Sequence, residues 1–213
     1  MDSFIASVQH RWPAGRADYH WHVLPEPTLV REQLVLPYRD LVYRAGLAPV
    51  LADWVHVTVQ HFAPVADVSR EEIAKIADLV RDRCALLAPF ALTVRRAEMW
   101  RNGVVCPVSP GQPLRKFWQI TTTAGQEVTG GRFEVRPSVY HPHLALTYAL
   151  GHVDDAPLRA WLSDHEVPEV RLPVSELSLV AQQHDGREIT WRQVQSIPLG
   201  GTVRQLHELF GLS

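Results

Sequence analysis

Two histidines stand in matching surroundings. In the run Trp54 to Phe62, WVHVTVQHF, His56 is followed two positions on by Thr58. In HPHLALTY, His141 to Tyr148, His143 is followed by Ala145 and Thr147. Both runs are otherwise mainly apolar and read as strands, whose side chains alternate between two faces. His56 and Thr58 therefore share one face, opposite Val57 and Val59. His143, Ala145 and Thr147 share another, opposite Leu144 and Leu146. A valine or leucine face is ordinary core. A polar face needs water, a partner or a ligand. Two such strands side by side would turn two imidazoles toward one atom, which suits proton transfer at phosphorus. A neutral imidazole takes a proton from water and a protonated one gives a proton to the leaving oxygen. The ordinary histidine pKa near 6.5 leaves both forms available at neutral pH. A neighbouring hydroxyl would hydrogen-bond a non-bridging oxygen and support the charge that builds there.

The elements that must position these residues repeat. YHWHVLP (19–25) reads as a strand and PTLVREQLVLPYRDLVYRAGL as a helix interrupted at Pro37. The first histidine strand follows. SREEIAKIADLVRDRCALLA is the clearest helix: Ser69 caps it, Glu72 stands three residues on, and Ile73, Ile76, Leu79, Val80 and Cys84 form its apolar stripe. PFALTVRRAEMW closes the first set as a strand. The second set runs GVVCPV, the helix QPLRKFWQITTTAGQEV, the second histidine strand, the short helix DDAPLRAWLSDHE and the strand PEVRLPVSELSLVAQ. Val23 and Val105 lie 82 residues apart (105 − 23), and His56 and His143 lie 87 apart (143 − 56). The expectation is one domain over 1–213 with an internal repeat at about 19–100 and 103–182, closed by a C-terminal strand and helix over 187–212.

The bulk composition restricts the partners. The chain has 213 residues, 46% of them hydrophobic, and a formal net charge of −2. This is an ordinary globular balance without the basic field that holds a long nucleic acid duplex. A nucleic acid substrate would be short or gripped at one end. No apolar run reaches the roughly 18 to 20 residues of a membrane helix, and the start, MDSFIASVQHRW, has no signal-peptide pattern. The expected location is cytoplasmic, away from membranes, with nothing demanding more than a monomer. Cys84 and Cys106 read as reduced core thiols.

The quoted motifs resemble the paired His-x-Thr/Ser-x-hydrophobic motifs of the two-histidine (2H) phosphoesterase superfamily, also called the 2′-5′ RNA ligase-like family. HWHVLP, WVHVTVQ, PHLALTYA and ITWRQV carry the likeness, from about Tyr19 to Leu199. The resemblance implies an α+β bilobal fold: two pseudo-symmetric antiparallel β-sheet lobes, helices outside, and a central groove. It implies cofactor-free, metal-independent hydrolysis or ligation at a 2′,3′-cyclic phosphate or 2′-5′ linkage of a nucleotide or RNA end. It makes His56 and His143 the catalytic pair and Thr58 the first phosphate-binding hydroxyl.

The second hydroxyl is replaced by Ala145, whose methyl group cannot donate. Thr147 shares the face but stands about 6.5 to 7 Å further along. Tyr148, His141 and His22 complete the candidate substrate-binding set. His20 shares a face with His22, and exposure is the expectation for that face. His61, oddly spaced from His56, is assigned to the valine face or beyond the strand. Two rival readings remain: a nucleotide- or RNA-end-binding protein that lost efficient chemistry with the hydroxyl, and a metal-dependent hydrolase using His56, His141 and His143.

Overall fold

The computed structural model describes residues 1–137 and 140–200. The terminal helix expected near 202–212 lies outside the described residues. The strands are β1 (Asp18–Val23), β2 (Leu47–Pro49), β3 (Val57–Pro64), β4 (Phe90–Val94), β5 (Glu98–Trp100), β6 (Gly103–Ser109), β7 (His143–Ala149), β8 (Val170–Val174), β9 (Glu176–His184) and β10 (Ile189–Pro198). The helices are α1 (Phe4–Val8), α2 (Pro27–Val30), α3 (Arg39–Val42), α4 (Arg70–Cys84), α5 (Gly111–Thr129) and α6 (Ala156–Asp164). Between α2 and α3 a π-turn over Arg31–Val35 runs into Pro37, which interrupts that helical stretch.

All named strand pairings are antiparallel, in the order β10-β9-β1-β3-β7-β6-β4-β8, with β2 added on β7 and β5 on β6. The histidine strands β3 and β7 meet at the centre. The closing strands of the two stretches expected to repeat cross over: β4 pairs with β6, and β9 pairs with β1, so the two stretches are interleaved within one sheet. The run PEVRLPVSELSLVAQ is two strands, not one, divided at Ser175. Ser175 alone joins β8, at one edge of the sheet, to β9 on its other side, so the sheet curls like a half-barrel.

The apolar face carries Val57, Val59, Leu144 and Leu146, all buried. Over it lie α4 and α5. Ser69 and Glu72 form a reciprocal capping box at the start of α4, whose buried stripe is Ile73, Ile76, Ala77, Val80 and Cys84. Helix α5 turns Leu114, Phe117, Ile120 and Ala124 inward, and its Thr122 hydroxyl accepts from Gln60 of β3 at 3.1 Å. Gly125 lets Phe62 lie against α5: a Cβ there would come within 2.7 Å of the ring. Both cysteines are buried free thiols, pushed by burial to pKa values of about 11 (Cys84) and about 12 (Cys106).

Candidate active site

Strands β3 and β7 touch through the pair Val57 and Leu144. In an antiparallel ladder this sets His56 opposite Ala145 and Thr58 opposite His143, around a local two-fold axis. Regular diagonal neighbours of this kind are roughly 7–8 Å apart at their Cα atoms, a separation that leaves room for one anion between two rings.

The same carbonyl geometry holds both rings. His56 Nδ1 lies 2.8 Å from the Trp54 carbonyl, and His143 Nδ1 lies 2.8 Å from the His141 carbonyl. A carbonyl oxygen only accepts, so each Nδ1 carries the hydrogen and each Nε2 is left to exchange a proton.

Past the histidines both strands bulge at the equivalent place. Val59 has no partner of its own on β1, where Trp21 pairs with Gln60 and His22 with Thr58. Leu146 has none on β6, where Val104 pairs with Thr147 and Val105 with Ala145. A bulge adds one residue and reverses the alternation beyond it. The residue four past each histidine is thereby buried, and the residue five past returns to the groove face.

This overturns the placement of Thr147. It is fully buried, and its hydroxyl donates to the Ala48 carbonyl at 2.8 Å. Tyr148 takes the face instead: half-buried, it lines a small cleft with His56, Trp54, Pro49 and Leu51. The bulge in β3 likewise brings His61 onto the histidine face, against the expectation from its spacing. His61 stacks on His20, with ring centroids 4.3 Å apart, and its Nε2 lies 2.7 Å from Asp18 Oδ2. Burial opposes ionisation of Asp18, but the bonds from His61 and Arg16 outweigh it and lower its pKa.

His22 does border His56, though not as an exposed residue. It is 0% exposed and stacks on the His56 ring at 4.1 Å. His20 is also buried, so the expected exposed face of β1 lies inside the molecule. His141 is exposed and contributes its carbonyl to His143. Thr58 is half-buried beside the pair, and its carbonyl accepts from the buried Tyr140 hydroxyl at 3.0 Å. Ala145 is buried opposite His56.

Two tryptophans absent from the sequence-derived set flank the histidines. Trp191 meets His56 edge-on at 4.8 Å, and Trp100 lies 4.4 Å from His143. Trp100 also donates from Nε1 to Glu98 at 2.7 Å. Around Trp191 apolar and polar residues alternate from Ile189 to Arg192, which marks a strand and nothing more, and around Trp100 no such alternation is present.

The two imidazoles differ electrically. Burial drives His56 down to about 4, against the pull of the Trp54 carbonyl, with repulsion from His143 in the same direction as burial. Burial also lowers His143; the His141 carbonyl and the Glu98 carboxylate oppose that shift. His143 is thus the ring with an anion in its field. Among the described residues no group of three or more His, Cys, Asp or Glu side chains is arranged to hold a metal ion.

The family model of the 2′-5′ RNA ligase superfamily matches residues 27–186. The chain belongs to this superfamily. No curated protein sequence matches it. Solved structures share the fold: TT0787 of Thermus thermophilus has a TM-score of 0.65 at 16% identity, over 86% of this chain and 98% of that one. LigT of E. coli complexed with 3′-AMP has a TM-score of 0.65 at 18% identity, over 87% and 99%. LigT complexed with phosphate has a TM-score of 0.62 at 17% identity, over 88% and 100%. For this 2′-5′ RNA ligase superfamily chain, the match covers both histidine strands and the helices behind them. No helix among the described residues is long and apolar enough to cross a membrane.

Proposed function

We propose that this protein is a phosphoesterase using two-histidine acid–base chemistry on a 2′,3′-cyclic phosphate or 2′-5′ linkage of a nucleotide or RNA end. The observation that carries the reading is the matched pair of imidazoles, each fixed through Nδ1 by the carbonyl two residues before it, on two strands that meet at a local two-fold axis. That arrangement offers two Nε2 atoms to one phosphate. LigT, similar in fold, is seen complexed with 3′-AMP and with phosphate.

His56, the more strongly desolvated ring, acts as the base and takes a proton from water. His143, with Glu98 in its field, acts as the acid and protonates the leaving oxygen. An arriving phosphate anion raises both pKa values, because an opposite charge favours the protonated ring. Thr58 donates to a non-bridging oxygen beside His143, and Ala145 leaves the equivalent place beside His56 without a donor.

The test is the pH–rate profile for hydrolysis of a nucleoside 2′,3′-cyclic phosphate. A bell-shaped profile is expected, together with a rate loss of about 100- to 10,000-fold in His56→Ala and in His143→Ala. Unchanged turnover in either variant refutes the reading. Ala145 favours a second one, in which the groove binds a nucleotide or RNA end without efficient chemistry. Tight binding of a nucleoside 2′-phosphate with no turnover of the cyclic phosphate would favour it.

A further inference from the structure

One hydrogen bond does not fix the plane of a ring. The 2.8 Å bond from His56 Nδ1 to the Trp54 carbonyl pins one atom and leaves the imidazole able to tilt about it. Two further contacts remove that freedom. His22 of β1 lies face to face with His56, with centroids 4.1 Å apart and planes within 16° of parallel. Trp191 of β10 meets the same ring at 4.8 Å and 78°. A face on one side and a steep edge on another leave the His56 ring one orientation.

His22 is held in its turn. It is 0% exposed, and His20 and Trp191 stand at steep angles to it, 5.5 Å and 5.6 Å away. His20 stacks on His61 at 4.3 Å, and His61 Nε2 lies 2.7 Å from Asp18. The Asp18 carboxylate is fully buried and also accepts two bonds of 2.8 Å from Arg16. A continuous row of rings thus runs from a buried ion pair to His56.

The ladder itself does not demand such a row. His22 pairs with Thr58, two residues past His56, whereas Val105 pairs with Ala145, two past His143. His20 pairs with His61, five past His56, whereas Gly103 pairs with Tyr148, five past His143. The row is also a costly way to fill space. Both ring nitrogens of His20 and of His22 are buried without a protein partner, a loss that apolar side chains would avoid. Burial holds both rings far below the usual histidine pKa, so at neutral pH they are uncharged plates. His143 has another support, Trp100 at 4.4 Å and 43°.

We propose that His22 is a positioning residue: its face, together with the edge of Trp191, holds the plane of His56 so that Nε2 meets the water that attacks phosphorus. This rests on the reading of His56 as the base. His22 is closed off from the groove and acts only through the alignment of the ring it covers. Its loss therefore lowers the rate of the chemical step without weakening the hold on the substrate.

The experiment compares the natural chain with His22→Val, which places there the residue found beside His143, and His22→Phe, which keeps a ring face and removes the nitrogens. Melting curves establish that each variant is folded. Hydrolysis of a nucleoside 2′,3′-cyclic phosphate gives kcat and KM, and nitrogen NMR of the free protein gives the His56 tautomer. His22→Val is expected to lose about 10- to 100-fold in kcat while KM moves by less than about threefold. Its His56 hydrogen should be shared between Nδ1 and Nε2, where the natural chain keeps it on Nδ1. His22→Phe should recover most of the lost rate and the Nδ1 form. A folded His22→Val with the natural kcat and tautomer shows a packing role alone and overturns the inference. So does a folded His22→Phe that loses about tenfold or more in kcat, whether or not His22→Val folds. No turnover by the natural chain removes the reading of the reaction, and the tautomer in the two variants then decides the inference by itself.

Discussion

Positions 58 and 145 allow the strongest quantitative test, because the two-fold axis makes them equivalents with one hydroxyl between them. Thr58 lies opposite His143, and Ala145 lies opposite His56. A preorganised donor to a developing oxyanion contributes about 2.7–4 kcal/mol, a 100- to 1,000-fold effect on kcat. Thr58→Ala should therefore slow hydrolysis of a nucleoside 2′,3′-cyclic phosphate by about that factor. Ala145→Ser should speed it, by at least about tenfold, since a serine placed there has the donor the natural side chain lacks. The gain has a structural cost. Residue 145 is only 8% exposed, so a new hydroxyl without a partner in the empty groove destabilises the fold by about 1–3 kcal/mol. The signature is a faster enzyme with a lower melting temperature. In the double variant Thr58→Ala with Ala145→Ser the gain should offset part of the loss, leaving a rate between those of Thr58→Ala and the natural chain. The assay is steady-state hydrolysis followed by phosphorus NMR, with melting curves on each variant. A folded Ala145→Ser that is no faster, beside a Thr58→Ala that is no slower, would refute the use of this face to hold a phosphate.

Three further outcomes follow from the packing. His56 has a lower pKa folded than unfolded, so the unfolded chain binds the extra proton; stability is whole above pH 6.5 and falls as pH drops toward about 4. The loss from His56 alone is roughly 3 kcal/mol, with His20 and His22 shifting in the same direction, and urea melts at pH 7 and pH 4.5 measure it. Thr147→Val removes the donor to the Ala48 carbonyl, so chemical denaturation should show a loss of about 1–2 kcal/mol while kcat stays the same; a large fall in kcat would return Thr147 to the site. Gly125→Ala, which in an exposed helix would stabilise by up to about 1 kcal/mol, should instead destabilise by about 1–3 kcal/mol, because its Cβ meets the Phe62 ring; a raised melting temperature would contradict that.

The histidine strands, the capping box of α4 and the break at Pro37 were legible because each is written locally, in alternation, in Ser69 with Glu72, and in a missing amide. The two bulges were not. Neither Val59 nor Leu146 stands beside a glycine or proline that would mark one, so strict alternation put Thr147 on the groove face and His61 off it. Trp12, in the segment before β1, packs beside His20, and Trp191, far away in sequence, packs beside His22; both lie outside β1, and periodicity within β1 carries no record of them. The exchange of β4 and β9 between the halves is likewise a matter of topology. A repeat shows that two units are alike without showing which strands they trade.

The central claim is that two imidazoles confront one phosphate. Nitrogen NMR of the histidine side chains, recorded while a nucleoside 2′-phosphate is titrated in, measures it directly. The account predicts that the Nε2 signals of both His56 and His143 move together, at one affinity, toward the protonated form, while each Nδ1 keeps its hydrogen. Movement of only one of the two signals, or of neither on saturation with ligand, would contradict it.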